Sequence, residues 1–230
     1  MDSLHILDGY CERVGTLPDF WGEPVNAVTN LAFILSALWL FSLARQASRR
    51  DPFVLALILV IAAIGTGSFL FHTFATFWAL ASDVIPIQIF IMSYFGLILN
   101  RVHRLGGVLS IVGALLFLPF AFGLQLLLGD SIFGGANAGY IAALILLFGN
   151  ALLLLSRNHP IVPYLLAGSG VFTLSIAFRM LDEPVCNSVP IGTHFLWHIL
   201  NAIVLAIVMA GLIRHGSIAT AVAGKPTPDK

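Results

Sequence analysis

Histidine aside, the ionisable residues of this chain leave seven long neutral windows, at 24–44, 52–82, 84–100, 105–129, 131–156, 160–178 and 184–213. A hydrocarbon core ~30 Å thick is crossed by about 20 helical residues, and no open strand or loop can satisfy its backbone there. The windows therefore predict an all-α integral membrane protein. They place a bundle of seven transmembrane helices at 25–44, 53–75, 79–100, 106–128, 138–156, 161–181 and 192–213. Composition agrees: 59% of residues are hydrophobic and 10% are charged, against ~25% charged in soluble domains. Eleven Lys and Arg balance eleven Asp and Glu, so no basic surplus exists to neutralise a nucleic acid. No protein partner is implied.

Orientation follows from the positive charges, which are retained on the cytoplasmic side of short loops. Arg45, Arg49, Arg50, Arg101, Arg104, Arg157, Arg214, Lys225 and Lys230 fall on one face, and only Arg13 and Arg179 on the other. The amino terminus is thus expected to be exoplasmic and the carboxyl terminus cytoplasmic. The chain divides into an exoplasmic amino-terminal segment (1–24), a seven-helix membrane domain (25–215) and a disordered cytoplasmic tail (216–230). Residues 1–22 lack the apolar core of a cleavable signal, so the first helix is expected to direct its own insertion. These features fit a multi-pass protein of a bacterial inner membrane. A retinal Schiff base is excluded, because both lysines, Lys225 and Lys230, lie in the tail.

Ionisable groups at membrane depth are rare and mark sites. Here they are His72, late in the second helix, Asp83, early in the third, and His194 and His198, early in the seventh. With alternating helix directions all four share one depth. His194 and His198 lie four apart, on one helical face, the spacing with which a helix offers two ligands to zinc. His72 can supply a third. Ser68, four residues before His72, points the same way. Alternatives stay open: histidines at helix ends are commonly interfacial, and two of them can ligate a haem, which leaves Asp83 and Ser68 idle.

These residues resemble the alkaline ceramidase family, within the wider group of seven-helix membrane hydrolases and receptors that includes the progestin and adipoQ receptors. Ser68 and His72 look like its S-x-x-x-H, Asp83-Val84-Ile85-Pro86 like its D-x-x-P, and His194 to His198 like its H-x-x-x-H. The resemblance implies a zinc-dependent amidase. It makes His72, His194 and His198 the zinc ligands, Asp83 the residue that acts on the attacking water, and Ser68 an oxyanion donor. Three imidazoles leave a fourth position open, as in catalytic zinc sites. The expected reaction is cleavage of the amide of ceramide or a related N-acyl lipid, entering from the membrane, to a fatty acid and an amine base. The rival is a receptor or transporter whose metal site is structural.

The resemblance extends to Tyr10-Cys11-Glu12 and to residues 23–30, where the ceramidases bind calcium beside the active site. Glu12 and Glu23 match two acidic ligands, with Asp8 as a further donor. The family's aspartate falls on Gly9, however, and its asparagine on Val14. A solvated acidic segment is the alternative. The resemblance also implies a disulfide between Cys11 and Cys186, with free thiols as the other possibility. Arg179 is expected to pair with Asp182, Glu183 or Asp83.

Overall fold

A computed structural model of the chain describes residues 10–13, 21–47, 51–129, 131, 134, 135 and 137–216. Among them are seven helices long and apolar enough to cross a membrane: α1 (Pro24–Gln46), α2 (Pro52–Phe74), α3 (Phe77–Val102), α4 (Gly107–Leu128), α5 (Asn137–Leu155), α6 (Val162–Val185) and α7 (His194–His215). A single 3₁₀ turn, Cys11–Arg13, precedes them. The spans agree with the neutral windows to within a few residues. The exception is α6, which continues past Arg179, Asp182 and Glu183 to Val185. Charge closed the sequence window, but the helix persists because the bundle supplies partners for Arg179 and Asp182 (below).

Each helix packs on its sequence neighbour, and α7 packs on α1, closing a ring. The face each helix turns inward is buried. Its outward face carries Leu59, Val108, Leu126 and Leu127, each more than two-thirds exposed. Such an apolar exterior is stable only against lipid. Local chemistry sets the ends. Asp51 accepts hydrogen bonds from the N–H groups of Phe53 and Val54 (3.0 and 3.4 Å), and Pro52 sits in the first turn, where its missing N–H is not needed. At the other end of α2, Ala75 takes a left-handed conformation (φ 46°) that stops the helix. Only Thr76 then separates it from α3, so His72 and the first turns of α3 emerge side by side.

Candidate metal centre

The short link between α2 and α3 brings their backbones together at Gly67. A Cβ there would lie 1.9 Å from the carbonyl oxygen of Ser82, so only glycine permits the approach. Pro86 lies within α3 and has no N–H to offer the carbonyl four residues back, which is that of Ser82. The D-x-x-P motif thus frees the carbonyl that rests on Gly67. The residues that follow each contact point, Ser68 and Asp83, are held next to one another.

At the start of α7, the N–H groups of Thr193 and His194, which lack intrahelical partners, donate to one carboxylate oxygen of Asp182, at 2.7 and 2.9 Å. The other oxygen accepts from the N–H of Cys11 (3.0 Å). Asp182 is therefore a tertiary cap for α7, favoured by the positive end of the helix dipole. Gly192 makes room for it. Its φ of 63° and a would-be Cβ only 2.0 Å from Asp182 Oδ1 admit no other residue. A disulfide joins Cys11 to Cys186, 175 residues away, and fixes the amino-terminal segment over the end of α6.

This framework brings His72, His194 and His198 together. One ring nitrogen from each lies within 4.8 Å of the others, and all three residues are at most 2% exposed. The second nitrogens of His72 and His198 explain how those two rings are aimed. His72 Nδ1 is hydrogen-bonded to Glu23 Oε2. A carboxylate can only accept, so the proton sits on Nδ1 and the lone pair on Nε2. His198 Nδ1 lies 3.1 Å from Thr29 Oγ1, whose own hydrogen is directed at the carbonyls of Val25 and Asn26 (2.8 and 3.0 Å). Thr29 accordingly accepts from His198 Nδ1–H, again leaving Nε2 as the donor. Burying a polar atom without a partner costs about 1–3 kcal/mol. Yet His72 Nε2 and His194 Nδ1 are buried with no hydrogen-bond partner among the described residues. Oriented imidazole lone pairs converging without protons between them are what a metal ion with a preference for nitrogen requires.

The cluster opens on a cavity of about 120 Å³. Ser68, Asp83, His194 and His198 line one end, while Phe90, Tyr94, Leu165 and Val208 line the deeper part. Along α7 that spans His198 to Val208, about 15 Å at 1.5 Å per residue. Tyr10 stacks on His194 with ring centroids 3.4 Å apart. Arg179, expected to pair with Asp182, Glu183 or Asp83, attracts Asp83 electrostatically. It donates to Tyr10 Oη (2.7 Å) and Asn137 Oδ1 (2.9 Å), and lies over the rings of Tyr10, Tyr140 and Trp197.

The expected calcium donors are otherwise engaged, and Asp8 lies outside the described residues. Glu12 accepts from the N–H groups of Val25 and Asn26 at 2.6 and 2.8 Å, capping α1. Glu23 accepts from Arg13 Nε (2.5 Å), Asn26 Nδ2 (3.1 Å) and His72. Burial pushes the Glu23 carboxyl upward, but the hydrogen bonds and charges of His72 and Arg13 outweigh it and hold it below its ordinary value. Calcium takes six to eight oxygens. A pair of carboxylates occupied by N–H donors and a guanidinium does not fit it. Glu23 is instead the residue that orients His72, as Thr29 orients His198. No local spacing in the sequence announces either pairing.

Seven membrane-length helices around a buried three-histidine centre, with a serine and a carboxyl at the mouth of an apolar chamber, define an all-helical membrane protein with a candidate metal site. The family model for ceramidases matches residues 8–222. The chain belongs to the ceramidase family, and the membership carries with it a hydrolase acting on a lipid substrate. A search of curated proteins finds no match.

Proposed function

We propose that the protein is a zinc-dependent amidase that cleaves ceramide or a related N-acyl lipid to a fatty acid and an amine base, using His72, His194 and His198 as zinc ligands. The observation that carries this reading is a pair of imidazole nitrogens, His72 Nε2 and His194 Nδ1, without a hydrogen-bond partner among the described residues, converging beside Ser68 and Asp83. Zinc bound there would lower the pKa of water to about 7 and polarise the amide carbonyl. Asp83 takes the proton of the attacking water and returns it to the departing amine, which amide cleavage needs because amide anions leave poorly. The Ser68 hydroxyl donates to the carbonyl oxygen as charge develops on it. Glu23 and Thr29 keep two of the rings in the tautomer that binds metal.

The chamber takes an acyl chain, whose burial contributes about 0.8 kcal/mol per methylene. The lipid enters the chamber from the membrane. Arg45, Arg101, Arg104, Arg157 and Arg214 lie at the ends of α1, α3, α5 and α7 opposite the histidines. That supports an exoplasmic site, on the periplasmic side of a bacterial inner membrane. A closed structural site would have no use for a serine and a carboxyl at its edge, which argues against the receptor or transporter reading.

The test is a lipid panel, short-chain ceramides, other N-acyl lipids and an ester analogue, incubated with detergent-purified protein before metal removal, after it, and after zinc readdition. Product that disappears with the metal and returns with zinc supports the reading. No product from any lipid, or the same product from Asp83→Ala, overturns it.

A further inference from the structure

We infer that the guanidinium of Arg13 is a built-in cation that replaces calcium beside the metal centre, so that this ceramidase holds its site without calcium. The inference rests on reading the histidines as metal ligands. Arg13 is 5% exposed and Glu23 1%, so the ion pair they form at 2.5 Å is shielded from solvent. A buried carboxylate with no cation beside it is unstable. Glu23 must keep its charge to hold the Nδ1 proton of His72, and Arg13 supplies the compensating charge. A second guanidinium nitrogen, Nη2, donates to the carbonyl of His72 itself (3.3 Å), near the negative end of α2, where a cation is favoured. Arg13 thereby fixes both the backbone of His72 and, through Glu23, its ring. It is a positioning residue.

The fold makes this cation permanent. Arg13 ends the 3₁₀ turn whose first residue, Cys11, is tied to Cys186 by the disulfide and to Asp182 by its N–H. A guanidinium stays charged at any accessible pH and cannot diffuse away. Where the ceramidase pattern has an aspartate and an asparagine, the chain has Gly9 and Val14, neither of which brings a side-chain oxygen. The loss of those ligands and the presence of Arg13 are two sides of one substitution: oxygens that serve a divalent ion are superfluous once the charge is covalently attached.

The experiment uses full-length protein in detergent, depleted of calcium. Its readouts are melting temperature, radioactive-calcium binding by equilibrium dialysis, and zinc affinity by competition with a chromophoric chelator. Calcium is added up to the roughly millimolar level at which weak extracellular sites fill. The wild type is expected to bind no calcium and to shift in neither melting temperature nor zinc affinity. Arg13→Gln is expected to lose about 10- to 100-fold in zinc affinity, the usual effect of removing an outer-shell partner. Arg13→Lys should recover part of it, and Glu23→Gln should lose a similar amount. Because Arg13 acts on the His72 ring through Glu23, the double variant Arg13→Gln/Glu23→Gln is expected to lose less than the sum of the two single losses. A wild type stabilised by calcium, an Arg13→Gln variant with wild-type zinc affinity, or strictly additive losses would each overturn the inference. Should Arg13→Gln fail to fold, the wild-type calcium titration and Arg13→Lys still decide. A wild type that takes up no zinc defeats the proposed function instead, and its calcium response then tests this inference alone.

Discussion

The two ends of the bundle carry nearly the same side chains and do different things with them. At one end lie His72, His194 and His198, with Glu23 and Arg13. At the other lie His103, His159 and His215, with Asp51 and Arg101. The second set is solvated or ordinarily bonded: its histidines are half-buried, and His103 Nε2 meets Asn150 Oδ1 at 2.8 Å. His159 Nδ1 accepts the N–H of Ile161 at 3.3 Å. The first set is enclosed, and two of its nitrogens, His72 Nε2 and His194 Nδ1, have no hydrogen-bond partner among the described residues. Histidine number and depth therefore do not make a site. What does is a carboxylate behind His72 and a hydroxyl behind His198 that commit the proton to one nitrogen and leave the other aimed toward the third ring.

The sharpest way to break this contrast is to delete one histidine from each end. His198→Ala is expected to remove bound zinc and lower hydrolysis by about a thousandfold or more, since several kcal/mol of charge stabilisation go with the ion. His103→Ala should stay within about twofold, as for surface changes away from special features. Metal content by elemental analysis, together with product formation, checks both. Equal losses would mean the two clusters are not different in kind.

A smaller effect separates chemistry from metal holding at the first end. Asp83→Asn is expected to retain zinc while kcat falls about 10²- to 10⁴-fold, the range for losing a general acid–base. Full activity in a zinc-loaded Asp83→Asn protein would assign the proton transfer elsewhere.

Much of this was legible in the sequence because the physics is local or one-dimensional. Hydrocarbon thickness forces long neutral stretches, so the seven spans could be read within a few residues. Four-residue spacing puts His194 and His198 on one face, and helix alternation gives His72 and Asp83 the same depth. What escaped depends on partners far apart in the chain. The α6 boundary was short because Asp182 finds its donors on Cys11, Thr193 and His194. Arg179 was assigned to acids, of which Asp83 does feel its charge, but its hydrogen bonds go to a tyrosine and an asparagine. Glu23 was read as a calcium ligand because nothing in residues 8–30 shows that Arg13 will turn inward to meet it. That arrangement needs the disulfide to a cysteine 175 residues away.

Thr29 sharpens the comparison further, since its hydroxyl accepts from His198 Nδ1 at the metal end. Thr29→Val keeps the shape and removes the acceptor. It is expected to weaken zinc about tenfold, the lower end of outer-shell effects, with little change in melting temperature of the zinc-loaded protein. Chelator competition measures the former and a thermal scan the latter. Unchanged zinc affinity would show that ring orientation at His198 does not depend on the Thr29 hydroxyl.

The smallest effect lies at the opposite end and concerns pH. Burial, then the charges of His215, His103 and Arg104, hold the imidazole of His159 below its ordinary value. The unfolded chain then takes up a proton more readily than the folded one, so protonation favours unfolding. The contribution of His159 to stability is complete above its unfolded pKa of about 6.5 and is lost as pH falls from there toward the folded value. Acid also strips the three metal-centre histidines, which would mask so small a term in the wild type alone. The measurement is therefore a difference: melting temperature against pH for the wild type minus that for His159→Gln. It is expected to be flat above neutrality and to decline for the wild type as pH drops below about 6.5. A difference that stays level across this range would place the neighbouring positive charges too far from His159 to matter, and would leave ordinary solvation as the whole description of that end of the bundle.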